Sequence, residues 1–119
     1  MADATTLTVQ GDGSVQTKTY ALTTADPNGS AIMMPVWSEK TFTVTGTWGG
    51  ATCVLEGSND GVTYQTLRDP QGVVLSFTAN GIKQVLESPL YVKPTLSVVG
   101  SGATLTAILL VRRPNPMRT

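Results

Sequence analysis

The side chains able to do chemistry are few. The chain has 119 residues and no histidine, which removes the commonest general acid-base group. Eight carboxylates remain: Asp3, Asp12, Asp26, Glu39, Glu56, Asp60, Asp69 and Glu87. Two of them at a suitable separation could serve as the carboxylate pair of a glycoside hydrolase. Asp12, Asp26, Asp60 and Asp69, however, stand in the turn signals GDG, DPNG, SNDG and DPQG, where aspartate bonds nearby backbone. Glu56, close to a strand end, is the best candidate for a functional acid; the plainer reading is a solvated glutamate on a strand face. Cys53 is the only cysteine. It alternates with Leu55 and reads as a small buried hydrophobe rather than a nucleophile. It has no histidine to activate it, and no second thiol to join it in a zinc site or an intramolecular disulfide. SNDG offers too few oxygens at loop spacing for calcium. GDG leads into no lysine or helix start that would make a phosphate loop. No catalytic residue, metal or cofactor is expected, and the chain is not read as an enzyme.

Binding is the stronger possibility. Tyr20, Trp37, Trp48, Tyr64 and Tyr91 could form a sugar-stacking platform, although Trp48 and Tyr64 also fit the core phase of their strands. Arg112, Arg113 and Arg118 form the basic cluster of the chain. They read either as a solvated tail or as an arm that pairs with carboxylates on a neighbouring subunit. Trp37, Tyr91, Arg112, Arg113 and Arg118 are therefore the candidate partner-binding residues. Eight basic residues balance eight acidic ones, and charged residues make up only 13% of the chain, against about 25% in a typical soluble domain. This leaves no electrostatic footprint for nucleic acid. It also removes the self-repulsion that keeps monomers apart, which suits a protein of an assembly and equally a neutral monomer. The N-terminal MADATTLTVQ has no basic or apolar region of a secretory signal. The longest apolar run, AILLV, is far short of the roughly 20 residues that cross a bilayer. No membrane partner is expected.

The elements that must position these residues are strands. Threonine occurs 19 times, and its β-branched side chain suits a pleated surface. In KTFTVTGTW, Phe42, Val44 and Trp48 share one face and Thr41, Thr43, Thr45 and Thr47 the other. Gly46 has no side chain to pack, so a bulge or a close neighbour is expected there. Further strands follow at short intervals in ATCVLEG, VTYQTL, VVLSFT, LYVKPTLSVV and ATLTAILLV. In the last, Leu105, Ala107, Leu109 and Val111 share a face, while Ile108 and Leu110 point the other way. Pro94 puts its strand at an edge or a bulge. TTLTVQ and SVQTKTYAL flank a GDG hairpin turn, DPNG and DPQG read as type I turns, and AIMMPVW reads as an edge strand. Asn59-Asp60-Gly61 reads as a tight hairpin bend rather than a site. In NGIKQVLESP, Ile82, Val85 and Leu86 have helical spacing, with Asn80 as cap and Pro89 as stop; a short helical turn is expected near residues 81–87.

The whole reads as all-β: one antiparallel β-sandwich domain over residues 1–119, jelly-roll-like, with extended arms at 1–5 and 112–119. An open barrel is the alternative architecture.

GTWGGATCVLEGSNDGVTYQTLRDPQG, followed by LSFTANGIKQVLESPLYVKP, resembles a pattern in small virion proteins of tailed bacteriophages. There a WGG turn, an EGSNDG hairpin, a DPQG turn and a GI-x-x-VLE-x-P segment lead into a Y-x-x-P strand. The likeness covers roughly residues 45–98. SNDG alone also recurs in discoidin-like sugar- and lipid-binding sandwiches, so the combination carries the resemblance. Within this class the chain is most similar in size and composition to capsid decoration (cement) proteins. The resemblance implies a structural virion protein, made in the host cytoplasm, that binds the major capsid protein on the outer capsid surface and stabilises the head shell. It also implies self-association as a dimer or trimer. A carbohydrate-binding or host-recognition module, or a neck, tail or fibre-base component, is the alternative. No catalytic residues come with the resemblance.

Overall fold

A computed structural model describes residues 4–8, 15–33, 39–87 and 89–112. Ten strands follow one another: β1 (Thr5–Thr8), β2 (Val15–Thr23), β3 (Ile32–Met33), β4 (Glu39–Thr47), β5 (Thr52–Ser58), β6 (Gln65–Thr66), β7 (Ser76–Phe77), β8 (Gly81–Val85), β9 (Tyr91–Val98) and β10 (Thr104–Arg112). They build two antiparallel sheets, β1-β2-β10-β4-β8 and β3-β9-β5-β6, with β7 also on β5. The pairs nest: β2 with β10, β3 with β9, β4 with β8, and β5 with β6 and β7. A ribbon of nested antiparallel pairs wound across two sheets is a jelly roll.

The alternating pattern sets which side of each strand is buried. Tyr20, Leu22, Phe42, Val44, Leu55, Leu75, Leu105, Leu109 and Val111 are sealed between the sheets. The rings of Phe42 and Phe77 meet edge to face, with centroids 5.6 Å apart, the geometry aromatic quadrupoles favour. Cys53 is buried among them, and burial pushes its thiol up to about 12. Gly46 answers to a close neighbour. Its φ is 135°, and a Cβ there would stand 2.3 Å from the carbonyl oxygen of Thr104.

Several expectations need correction. Gly81–Val85 is strand β8, not a helical turn. A single helical turn is marginal alone, whereas β4 offers a full row of backbone partners, and Ile82 and Val85 then face opposite sides. Asp26 to Gly29 is not the expected turn. The chain reverses three residues earlier, with mutual backbone bonds between Thr23 and Asp26, and the Gly29 N–H donates to the Pro94 carbonyl (2.8 Å). VTYQTL and VVLSFT form regular strand only at Gln65–Thr66 and Ser76–Phe77; Val74 adds an isolated bridge to Arg68, and the Leu75 N–H donates to the Leu67 carbonyl (2.8 Å). Of the two settings expected for the Pro94 strand, the edge is wrong, since β9 lies between β3 and β5, and the bulge is right: Leu96 and Val98 pair with the adjacent Cys53 and Thr52, leaving Ser97 as the extra residue. At the inner ends of the expected arms, Thr5 and Arg112 are strand residues; residues 1–3 and 113–119 lie outside the described residues, as does the GDG turn.

DPQG does form a turn. The Gly72 N–H donates to the Asp69 carbonyl (2.9 Å), and the Asp69 carboxylate accepts from the N–H groups of Gln71 and Val73. AIMMPVW contributes the short outer strand β3 through Ile32 and Met33.

Candidate interaction surface

The opening question of any chemical reading is whether carboxylates converge. Among the described residues, no three or more Asp, Glu or Cys side chains come together as a metal-binding group. Asp60 is occupied by its own loop. Its carboxylate accepts from the N–H groups of Val62 and Thr63 (both 2.8 Å) and from the Ser58 hydroxyl (2.8 Å). The Thr63 and Val62 N–H groups, helped by Ser58, hold this carboxyl down at about 2. The Ser58 hydroxyl oxygen also accepts from the Gly61 N–H, and the Asn59 side-chain oxygen from the Leu90 N–H. Only Gly61 takes a positive φ, 77°, so the bend is longer than a two-residue hairpin, and side chains replace much of its backbone ladder. Glu56 lies on the outward side of β5, opposite Lys93 and Thr66.

Among the described residues, the aromatic candidates Tyr20, Trp48, Tyr64 and Tyr91 do not assemble into one platform. Tyr20 is core, and its hydroxyl donates to the Ser30 carbonyl (2.9 Å). Trp48 is half-buried, and its indole N–H donates to Asn80 Oδ1 (2.9 Å), which also accepts from the Gly46 N–H (3.1 Å). Tyr64 follows the SNDG loop in the chain, and Tyr91 stands against the loop at Gly61. The Lys93 ammonium sits 4.4 Å from the Tyr64 ring centroid, a cation–π contact. Burial raises the Tyr64 hydroxyl, with the charges of Tyr91, Asp60 and Glu56 adding to the rise. A Cβ on Gly61 would stand 3.2 Å from the Tyr91 ring, so that ring backs the loop.

Of the candidate partner-binding residues, Tyr91 begins β9 in one sheet and Arg112 ends β10 in the other. Trp37, Arg113 and Arg118 lie outside the described residues. Arg112 is exposed, and on the adjacent strand it faces Glu39.

That pair belongs to a surface that sequence reading saw only in pieces. The ladder registers set the outward side chains of the five-stranded sheet in rows across the strands. One row is Thr5, Thr19, Ile108, Thr43 and Ile82. The next is Leu7, Thr17, Leu110, Thr41 and Gln84. Beyond the first row lie Ala21, Thr106 and Thr45, then Thr23, Thr104 and Thr47. None of these residues is charged. The end row is Val15, Arg112 and Glu39, and a hollow of about 190 Å³ opens there between Glu39, Lys40, Thr41, Gln84, Leu110 and Arg112. Leu7 and Ile82 are 63% and 65% exposed, so apolar side chains stand in solvent on both flanks of the sheet.

The threonines of β4 and the outward Ile108 and Leu110 were legible as strand alternation. What was missed is that β1, β2 and β8 continue the same uncharged face. The inward side also holds a surprise: Lys40 is 2% exposed, facing Val111 and Val85 in register, and burial lowers its pKa.

Comparison with known proteins finds no match to a protein-family model and none among curated proteins. The fold is similar to the crystal structure of the SPBc2 prophage-derived protein YomS. The TM-score is 0.55 at 13% identity, over 92% of this chain and 95% of that one. At that identity the likeness is one of fold.

Proposed function

We propose that this chain is a structural protein of a tailed-phage virion, which binds the major capsid protein on the outer capsid surface and stabilises the head shell together with further copies of itself. The observation that carries the reading is the uncharged threonine–aliphatic face of the five-stranded sheet. Threonine and aliphatic side chains lose little on leaving water, whereas buried charges cost several kcal/mol each. A broad face without charges is therefore fitted to protein contact. The phage assignment draws on the WGG, EGSNDG, DPQG and GI-x-x-VLE-x-P pattern and on the jelly roll shared with a prophage-derived protein. On a capsid lattice, modest individual contacts multiply, because each bound copy raises the effective concentration of the next.

A glycan-binding module is the poorer reading. Such a site needs open ring faces, and among the described residues Lys93 covers one face of the Tyr64 ring and Tyr91 backs a loop. The test is co-sedimentation of the purified protein with procapsids and with expanded heads. Saturable binding to either, with raised resistance of the heads to heat, is expected. Absence of binding to both would remove the proposal.

A further inference from the structure

We infer that the uncharged face of the five-stranded sheet is the contact between two copies of this chain, packed face to face about a twofold axis. The inference rests on the reading of this face as a protein-contact surface and names its occupant.

Charge complementarity selects the occupant. The end row carries one base and one acid on adjacent strands, Arg112 on β10 and Glu39 on β4. Both are exposed, and among the described residues no ion pair joins them to each other. A partner recognised by charge would call for a patch of one sign. A face with one of each, side by side, is its own complement. A twofold axis running along the strands between β10 and β4 lays Arg112 of each copy over Glu39 of the other. The same operation lays Ile108 over Thr43, Leu110 over Thr41 and Ile82 over Thr19, so aliphatic side chains meet threonine methyl groups in the two middle rows, while Thr106 lies over Thr45 and Thr104 over Thr47. Packed sheets stand about 10 Å apart, a gap that an arginine and a glutamate reaching toward each other can close. Each copy presents the same patch, as a closed twofold interface requires.

The area is adequate but not large. Two central strands overlapping over nine residues and two outer ones over the five residues of β8, at about 4.8 Å spacing and about 3.4 Å per residue, give roughly 450 Å² in projection. Side-chain relief adds to this. The interface falls below the standard size of about 800 Å² per partner, so a reversible dimer is expected rather than an obligate one.

The test is sedimentation velocity of the full chain over a concentration series, with thermal unfolding as a control for folding. The unsubstituted protein is expected to pass from monomer to dimer. Ile108→Lys and Thr43→Lys each raise the dimer dissociation constant by about tenfold or more, because a desolvated centre carries most of an interface. Arg112→Glu and Glu39→Arg each weaken the homodimer, because like charges then face each other twice. Mixing these two single variants restores dimers, since each Glu of one copy then faces an Arg of the other. A monomer at every concentration overturns the inference. So does a dimer unaffected by Ile108→Lys, or a mixture no tighter than either variant alone. If the free protein is monomeric and Ile108→Lys abolishes co-sedimentation with heads, the face belongs to the capsid: the twofold contact is refuted while the proposed function stands.

Discussion

Gly46→Ala isolates the constraint that holds the middle of the five-stranded sheet. Gly46 has φ 135°, and a Cβ there would lie 2.3 Å from the Thr104 carbonyl oxygen and 3.0 Å from the Leu105 Cα. Both neighbours are backbone of β10, the central strand, so neither can rotate away as a side chain would. A sparsely populated backbone region costs on the order of 1–3 kcal/mol, and forcing an extra carbon into a packed site costs about as much again. We expect a loss of roughly 3–4 kcal/mol. Unfolding entropy of about 2.1 cal/mol/K per residue, over 119 residues, makes each kcal/mol worth about 4 °C. The melting temperature should fall by about 12–16 °C. Gly50 is the control: its φ is 83°, but nothing lies within 4 Å of a Cβ there. Gly50→Ala should cost only left-handed strain, about 1–2 kcal/mol, or about 4–8 °C. Calorimetry at equal protein concentration measures both. Equal losses at the two sites, or a Gly46→Ala loss below about 4 °C, would refute the argument that β10 backbone closes the site.

Three further outcomes are expected. Leu109→Ala, at a position 1% exposed, should cost about 3 kcal/mol through lost burial and the cavity left behind; Leu7→Ala, on the solvent side of β1, should leave the melting temperature within about 2 °C, and equal effects would mean that the inner and outer faces are misassigned. The Cys53 thiol, pushed up to about 12 and buried, should resist a thiol reagent at neutral pH in the folded protein and react on unfolding; rapid labelling of the native state would contradict this. Asp60, held at about 2 against an ordinary 3.8, has a folded pKa below its unfolded one, so its contribution is present above about pH 4 and is lost as pH falls through about 2. An NMR titration of its carboxyl carbon should show a midpoint near 2, and a midpoint near 4 would mean that the loop bonds do not form.

Much of the fold was legible because alternation is a local signal. Phe42 and Val44 inward with Thr41 and Thr43 outward, and Leu105, Ala107, Leu109 and Val111 on one side of their strand, needed only the two-residue period of a strand. Asp69 and Gly72 declared their turn by residue type, and Gly46 declared a close neighbour by having no side chain. NGIKQVL misled because Ile82, Val85 and Leu86 also match a helical period, and seven residues cannot tell the two apart. The open backbone edge of β4 made the choice. DPNG misled for a similar reason: Pro94, 65 residues further on, offered Gly29 a carbonyl, and the turn moved back to Thr23–Asp26.

By itself the amino-acid order determined which side of most strands would be wet, and it scattered the carboxylates among turns. Only the tertiary structure decided that strands from both ends of the chain lie side by side, so that Leu7, Thr19, Ile108, Thr43 and Ile82 share one uncharged face and Arg112 comes to rest beside Glu39. The physical reason is that a strand's alternation is written within its own few residues, whereas the register between strands is settled by backbone hydrogen bonds and core packing between segments up to a hundred residues apart.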